Sequence, residues 1–183
     1  MNPVRILAIS GSLSARSINT ALLRAAQTMA TGAVEIELLA GLGALPHFNP
    51  DDDSVGATLP LPVYTMRAAV ARADAVLISS PEYAHGVPGT LKNALDWLVS
   101  GPEVPDLPIG LLNASSRAVH AQRSLVETLN TMSAHVVEAA VRVVPLDGRR
   151  LSSTEMVADS AISAILGEVL EALVSVARSQ RTK

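Results

Sequence analysis

The amino-acid sequence predicts an α/β fold in which five parallel strands form a three-layer, doubly wound sheet with helices on both faces. Short β-branched apolar runs alternate with longer segments of helical period, which is the pattern of repeated βαβ units. The chain has 183 residues, enough for one domain with a substantial core and too few for two ordinary domains. We therefore expect a single domain over residues 1–183.

The strands are predicted from five apolar runs, most of which lead into segments of helical period. The predicted strands are Val4–Ser10, Val34–Leu39, Ala75–Ser80, Ile109–Ala114 and Val136–Val144. Hydrophobic residues make up 49% of the chain and aromatic residues only 2%. The core between the sheet and the helices must therefore consist of aliphatic side chains.

The helices are predicted from apolar residues that recur every three or four positions and so share one face. The predicted helices are Asn19–Ala30, Val63–Ala73, Thr90–Val99, Ala118–Met132 and a last helix that begins near Ser153 or Thr154. The connection from Gly41 to Leu61 is irregular and contains Gly, Pro and three consecutive Asp residues. We expect it to form a long surface excursion.

The composition excludes several classes of function. The net charge is -3, with 14 basic and 17 acidic residues interspersed, and no basic stripe indicates a nucleic-acid partner. Cysteine is absent, which excludes disulfides, thiolate nucleophiles and cysteine-ligated metals. The N-terminus lacks the layout of a signal peptide, and acidic residues interrupt the most apolar segment, Ile162–Ala177. We therefore expect a cytoplasmic protein without a membrane partner.

Five βα units of this length fit a flavodoxin-like sheet with strand order 2-1-3-4-5. The alternative is a six-stranded Rossmann domain, but its glycine fingerprint G-x-G-x-x-G is missing after the first strand. In open α/β sheets, ligands bind beyond the carboxyl ends of the strands. We therefore expect a binding site in the loops that follow the strands.

The loop after the first strand has the composition of a monophosphate site. It leads into a helix whose first free N–H groups attract anions. Its side-chain donors are Ser12, Ser14, Arg16, Ser17 and Asn19. A pyrophosphate needs close backbone approach and hence glycines, whereas hydroxyl groups can surround a terminal phosphate. The loop favours a mononucleotide such as FMN, although Ser17 or Asn19 could instead simply cap the helix.

The loop after the third strand, Ser80–Gly89, predicts a flat ligand. Its two prolines fix φ and its two glycines permit close backbone approach, so the loop can press main-chain groups against a planar molecule. Flavin is the leading candidate. A doubly wound sheet brings the ends of the first and third strands together, so both loops should form one site.

The sequence resembles the NAD(P)H-dependent FMN reductases of flavodoxin-like fold, a family that includes quinone and chromate reductases. The resemblance covers nearly the whole chain and is carried by Ile9–Leu13 with Ser17 and Asn19, by Leu45–Asp51, and above all by Ser80–Trp97. It implies an oxidoreductase that moves a hydride from NADPH or NADH through FMN to a quinone, a free flavin or another small acceptor. It also implies a homodimer or a homotetramer.

The resemblance further implies which residues bind FMN. The first loop would hold the phosphate, the third-strand loop would line the isoalloxazine through backbone amides, and the fourth-strand loop would reach the other edge of the ring. The implied residues are Ser10, Ser12, Ser14, Arg16, Ser17, Asn19, Pro81, Glu82, Tyr83, Ala84, His85, Gly86, Ser115, Ser116 and Arg117. No side chain is expected to be catalytic, because the chemistry belongs to N5 of the flavin.

The chain departs from the family pattern at three places. Ser14 stands where many relatives have Arg, and the nearest cation, Arg16, comes two residues later. Ala84 replaces a common Asn, and residues 113–119 lack a glycine pair that relatives often carry. We expect these departures to affect FMN affinity and substrate choice rather than the fold.

Other polar and aromatic residues have weaker functional interpretations. The run Asp51–Asp53 is expected to be a solvated turn, and the four histidines show no metal-ligand spacing, so no metal is expected. His85 could contact a bound substrate. Trp97 lies beside the apolar stripe of its helix and is either part of the core or an anchor for a partner subunit, which the resemblance favours.

Two rival functions share the predicted fold. A flavodoxin-type electron carrier would exchange electrons with protein partners, but such carriers usually have aromatics around the ring and a strongly acidic face, and this chain is poor in both. A flavin-free binding domain is the second rival, and Ser14 is its one support in the sequence.

Overall fold

The computed structural model describes residues 2–54, 56–146 and 148–181. Within them, five parallel strands form one sheet in the order β2-β1-β3-β4-β5. The strands are β1 (Val4–Ser10), β2 (Val34–Leu38), β3 (Ala75–Ser79), β4 (Pro108–Asn113) and β5 (His135–Val143). The predicted fold class and strand order are confirmed, and every predicted strand end lies within one residue of the observed one.

In the described part of the chain, six α-helices and two short 3-10 helices connect and follow the strands. The α-helices are α1 (Ile18–Met29), α2 (Leu61–Ala71), α3 (Gly89–Asp96), α4 (Val119–Thr131), α5 (Ser153–Ala158) and α6 (Ser160–Arg181). The 3-10 helices, Leu42–Ala44 and Pro50–Asp53, lie in the predicted excursion.

Alternating side chains of the strands build a core on each face of the sheet. Ile6 and Ala8 of β1 pack with α1, α5 and α6, whereas Leu7 and Ile9 of the same strand pack with α2, α3 and α4. Because successive side chains of a strand point to opposite faces, one strand supplies both cores. The predicted three-layer arrangement is therefore present.

The expectation of one continuous last helix is wrong, because the chain breaks at Asp159. This residue has extended backbone, with φ -78° and ψ 111°. Its carboxylate accepts hydrogen bonds of 3.2 Å from the backbone N–H groups of Ala161 and Ile162. Asp159 therefore caps the start of α6, since a carboxylate satisfies N–H groups that have no partner within the helix.

Among the described residues, α6 is long and apolar enough to cross a membrane by length and composition alone. Its apolar stripe is nevertheless built into the core: Ile162, Leu166, Val169 and Leu173 are all buried among strand and helix side chains. A core helix of a globular domain passes the same test of length and composition.

Trp97 belongs to the core, so the expectation that it anchors a partner subunit is wrong. Its side chain is fully buried, and its Nε1–H donates a 2.9 Å hydrogen bond to the carbonyl of Pro46. Phe48 packs edge-on against it, with ring centroids 5.1 Å apart. The predicted excursion therefore folds back over α3 and covers the tryptophan.

Candidate active site

A cavity of about 680 Å³ lies at the carboxyl ends of β1, β3 and β4. This volume is within the usual range for ligand pockets, about 300–1,000 Å³. The lining residues come from four loops and are Ser14, Ala15, Arg16, Ile18, Asn19, Ser80, Pro81, Glu82, Asn113, Ala114, Ser115, Arg117, Ala118, Gly148, Arg149 and Arg150. Seven of the predicted site residues are among them: Ser14, Arg16, Asn19, Pro81, Glu82, Ser115 and Arg117.

Among the hydroxyl groups of the first loop, one lines the cavity and the others make hydrogen bonds within the loop and to α1. Ser17 caps α1, because its Oγ accepts a 3.2 Å hydrogen bond from the backbone N–H of Thr20. The hydroxyl of Ser10 lies 2.8 Å from that of Thr20, and Ser12 Oγ accepts from the backbone N–H of Ser14. Ser10, Ser12 and Ser17 are not part of the cavity lining, so in this structure they shape the loop that presents Ser14 and Arg16.

The first loop is fixed directly to the end of β3. The backbone N–H of Gly11 donates a 2.9 Å bond to the carbonyl of Ser79, and Ser79 Oγ donates a 2.9 Å bond to Oδ1 of Asn19. A Cβ at Gly11 would lie 2.4 Å from Ser80 Oγ, so only glycine permits this approach. The predicted convergence of the two loops is therefore present.

The loop after β3 contains a tight turn closed by backbone hydrogen bonds. The backbones of Tyr83 and Gly86 exchange hydrogen bonds of 3.1 and 2.9 Å. Positive φ falls on Ala84 (49°) and His85 (59°), and Gly86 is not among the residues with positive φ. Left-handed backbone at two consecutive non-glycine residues is strained, and such strain is concentrated at functional sites.

Glu82 connects the loop after β3 to α4. Its Oε2 accepts a 2.8 Å hydrogen bond from the backbone N–H of Ala121, and its Oε1 lies 3.1 Å from Nδ1 of His85. The bond from Ala121 holds the pKa of the Glu82 carboxyl below its ordinary value against the opposing effect of burial, and His85 and His120 add to this. Glu82 is therefore an anion at neutral pH.

Tyr83, Ala84, His85 and Gly86 form the turn beside the cavity and are not part of its lining. The rings of His85 and His120 meet edge-on with centroids 4.6 Å apart, and the His85 side chain is 78% exposed. The hydroxyls of Tyr83 and Ser12 lie 3.5 Å apart. This turn borders the cavity and is open to solvent.

The loop after β4 is shaped by Asn113, which the sequence interpretation missed. Its Oδ1 accepts a 3.0 Å bond from the backbone N–H of Ser115, and its Nδ2–H donates a 2.8 Å bond to the carbonyl of Ala118. Asn113 is buried and lines the cavity. Of the three residues predicted in this loop, Ser115 and Arg117 line the cavity and Ser116 does not.

The sequence interpretation also missed the loop between β5 and α5, which contributes Gly148, Arg149 and Arg150. Gly148 has a φ of 91°, and the backbone N–H of Arg149 donates a 2.7 Å bond to the carbonyl of Leu146. This turn directs two consecutive arginines to the cavity. The rule that ligands bind at the carboxyl ends of parallel strands applies to this loop as well and could have identified it.

The cavity is electropositive although the chain as a whole is acidic. In the described chain, four arginines line it, namely Arg16, Arg117, Arg149 and Arg150, of which Arg149 is paired with Asp159. Glu82 is the one acidic residue among the described lining residues, and its oxygens face Ala121 and His85. The donor set of hydroxyl, amide and guanidinium groups therefore fits an anionic ligand.

Comparison with known proteins identifies the family of this chain. The family described as NADPH-dependent FMN reductase matches residues 4–147, which include all five strands and the loops after the first four. The chain belongs to the NADPH-dependent FMN reductase family. The predicted resemblance is confirmed, and the family description names FMN and NADPH, the predicted cofactor and a predicted co-substrate.

Individual known proteins are similar to the chain over a large part of its length. The NAD(P)H-dependent FMN reductase of Pseudomonas aeruginosa is 36% identical over 137 residues, which cover 72% of each chain. An NADPH:quinone oxidoreductase of Arabidopsis thaliana is 39% identical over 114 residues, or 60% of this chain and 57% of that enzyme. Among solved structures, the flavoenzyme NAD(P)H:(acceptor) oxidoreductase of Paracoccus denitrificans matches with a TM-score of 0.70 at 24% identity, covering 96% of this chain and 98% of its own.

Proposed function

We propose that this member of the FMN reductase family is an NAD(P)H-dependent oxidoreductase that binds FMN in the cavity and reduces a quinone or another small acceptor. The observation that carries the proposal is the convergence of four arginines with hydroxyl and amide donors at the carboxyl ends of the strands. Relatives named as FMN reductases and quinone oxidoreductases support the same reaction class.

The residues present fit FMN. The phosphate would be held at the start of α1 by free backbone N–H groups together with Ser14 and Arg16. The flat ring would lie between Pro81 and Glu82 on one side of the cavity and the Ser115–Arg117 loop on the other. FMN, when bound, supplies hydride chemistry that no side chain of this chain can supply.

The chain's own residues bind, orient and stabilise charge. Arg117 and the other guanidinium groups favour negative charge in the cavity, because ionic interactions strengthen where water is partly excluded. Glu82 is a positioning residue rather than a proton donor, since its pKa is held low and both its oxygens have partners. It fixes the loop after β3 relative to α4. The cavity walls that follow β3 and β4 are thereby held at a fixed distance.

Finer features of the proposal concern the acceptor and the assembly. His85 lies in the exposed turn beside the cavity, where an acceptor entering from solvent would meet it.

Leu61 and Tyr64 of α2 are 75% and 62% exposed, which supports a homodimer or homotetramer in which such residues are covered. We place the protein in the cytoplasm, with a small-molecule acceptor and without a nucleic-acid or membrane partner.

The direct test is an anaerobic titration of the purified protein with FMN, followed by NADPH and, in a parallel sample, NADH. We expect the visible flavin band to shift on binding and to bleach faster with one of the two nucleotides. The same additions to FMN without protein set the baseline. A quinone added afterwards should restore the band.

Two results would overturn the proposal. If FMN binds but neither nucleotide bleaches it faster than the baseline, the protein is an electron carrier of the same fold. If FMN does not bind, the cavity serves another anion and the assignment to flavin chemistry fails.

A further inference from the structure

Arg150 occupies an unusual place between two openings of the surface. It lines the main cavity and also a neighbouring groove of about 390 Å³ that runs along the outside of the first loop. Arg16 lines the same two spaces. Arg150 therefore faces the first loop, although it is far from Arg16 in the sequence.

The chain on either side of Arg150 is firmly held. Arg149 makes a 2.9 Å ion pair with Asp159, and Leu151 packs against the core cluster beside α1. Ser152 then caps α5 in a reciprocal arrangement with Glu155. Within the described residues, the Arg150 side chain itself makes no hydrogen bond or ion pair. The neighbours of Arg150 thus hold its backbone in place, while its exposed guanidinium group is available to a ligand.

The first loop offers a single cation to a bound anion. Ser14, which also lines the cavity, has a neutral side chain whose Oγ accepts a 3.3 Å hydrogen bond from the backbone N–H of Arg16. Arg16 is therefore the loop's one cationic side chain, and a phosphate dianion at the start of α1 carries about two charges. A second guanidinium facing this loop would complete the neutralisation.

We infer that Arg150 binds the phosphate of the flavin mononucleotide, opposite the start of α1, and supplies the cation that Ser14 does not. A guanidinium suits this role because its planar fork can bind two phosphate oxygens at once. The inference rests on the proposed function, since it requires FMN to be the ligand. It assigns a ligand contact to the loop after β5, in addition to the loops after β1, β3 and β4 that supply the rest of the cavity.

The test compares the affinity of the apoprotein for FMN and for riboflavin, which has the same ring and no phosphate. Binding is followed by the change in flavin fluorescence at low and at high ionic strength. The variants are Arg150→Gln, Arg150→Lys and a matched control, Arg24→Gln, which removes an arginine that lines the neighbouring groove but not the cavity.

We expect Arg150→Gln to weaken FMN binding roughly ten- to hundredfold, the usual range for a hydrogen bond to a charged group. Riboflavin affinity should stay unchanged, which also shows that the variant is folded. Arg150→Lys should lose less, because it keeps the charge but not the fork. Arg24→Gln should bind both flavins as the original chain does, and the salt dependence of FMN binding should fall only in Arg150→Gln.

The inference and the proposed function fail in different ways. If the unchanged protein binds neither flavin, the proposed function fails and the inference with it. If it binds both flavins equally well, the function stands and the phosphate site is absent. If Arg150→Gln weakens both flavins equally or neither, Arg150 does not bind the phosphate. If that variant instead loses affinity for NADPH and not for FMN, Arg150 recognises the nucleotide, and the inference is overturned.

Discussion

The carboxylate of Glu82 accepts a 2.8 Å hydrogen bond from the backbone N–H of Ala121, in the first turn of α4. One side chain thus joins the loop after β3 to the helix after β4. The Glu82 side chain is only 11% exposed, so this bond is largely protected from competing water. The two walls of the cavity are therefore coupled through a single ionised group.

We predict that this coupling is lost in acid. The pKa of Glu82 is lower in the folded chain than in the unfolded one, where it is about 4.3. Its stabilisation is therefore present above that value and is lost as the pH falls through the lower, folded-state pKa. Urea unfolding of Glu82→Gln should show lower stability than the unchanged protein at about pH 7, with the difference closing towards about pH 3.

Glu171→Gln is the matched control, because Glu171 is an exposed residue of α6. Its difference from the unchanged protein at neutral pH should be small. A difference for Glu82→Gln that stays constant over the whole pH range would contradict an ionised role for Glu82.

The approach of Gly11 to Ser80 sets the distance between the first and third-strand loops. In Gly11→Ala the new Cβ would lie 2.4 Å from Ser80 Oγ and 2.9 Å from its Cβ. We predict a loss of roughly 1–3 kcal/mol in the free energy of unfolding, as for other overpacked sites. The measurement is chemical denaturation, and flavin binding should weaken in parallel because both loops border the cavity.

Gly167→Ala is the control for this substitution. Gly167 lies inside α6 with nothing within 4 Å of the added Cβ, so the change should stabilise the chain by about 0.5–1 kcal/mol. The double variant Gly11→Ala with Ser80→Gly removes the atoms that clash and should recover most of the loss. If it recovers nothing, steric conflict with Ser80 is not the cause.

Much of this site was predictable because local patterns determine it. The strands are apolar runs, and parallel strands place their following loops at one edge, so Arg16 and Pro81 could be assigned to one cavity from the sequence, and the family resemblance added Ser115. The exposed turn at Ala84 and His85 carries no such signal. Its positive φ values depend on the backbone bonds between Tyr83 and Gly86 rather than on glycine.

The features that sequence interpretation missed depend on contacts between distant segments. The strand-end rule could have identified the loop that carries Arg150, but the packing of α5 against α1 beside that loop is a contact that no local pattern encodes. Trp97 is buried because residues near Pro46 cover it, although its helix alone would leave it at the edge of the apolar stripe. The break at Asp159 was hidden because apolar residues continue on both sides of it.

Asn93 fastens the excursion after β2 to α3. Its Oδ1 accepts a 2.8 Å bond from the backbone N–H of Phe48, and its Nδ2–H donates a 2.9 Å bond to the carbonyl of Pro46. Asn93→Ala should lower stability by about 1–3 kcal/mol, because the partly buried N–H of Phe48 loses its partner. Hydrogen exchange of residues 42–53 should also become faster.

Asn130→Ala provides the comparison, since Asn130 is an exposed residue of α4 whose change should alter stability by less than about 0.5 kcal/mol. Faster exchange throughout the sheet in Asn93→Ala, instead of only in the excursion, would show that the residue supports the whole fold. In that case the contact with the excursion would not be its principal role.

Arg181 joins the end of α6 to the start of the chain and to the turn before β3. Its guanidinium pairs with Asp74 and donates bonds of 3.2 and 2.8 Å to the carbonyls of Asn2 and Pro3. Asp74 also accepts a 2.7 Å bond from the backbone N–H of Arg5. Burial disfavours the charged carboxylate, but the bonds from Arg181 and Arg5 outweigh it and hold the pKa of Asp74 below its ordinary value.

We predict that Arg181→Gln lowers the free energy of unfolding by about 1 kcal/mol, a modest value because the Arg181 side chain is 35% exposed. Since the pKa of Asp74 is depressed in the folded state, this contribution is present at neutral pH and disappears as the pH falls through the folded-state pKa. Arg142→Gln breaks the pair with Glu168, whose side chains are 40% and 56% exposed, and should cost less. Equal losses in the two variants, measured by urea unfolding at neutral pH, would show that the contacts of Arg181 with Asn2 and Pro3 add nothing to an ordinary surface pair.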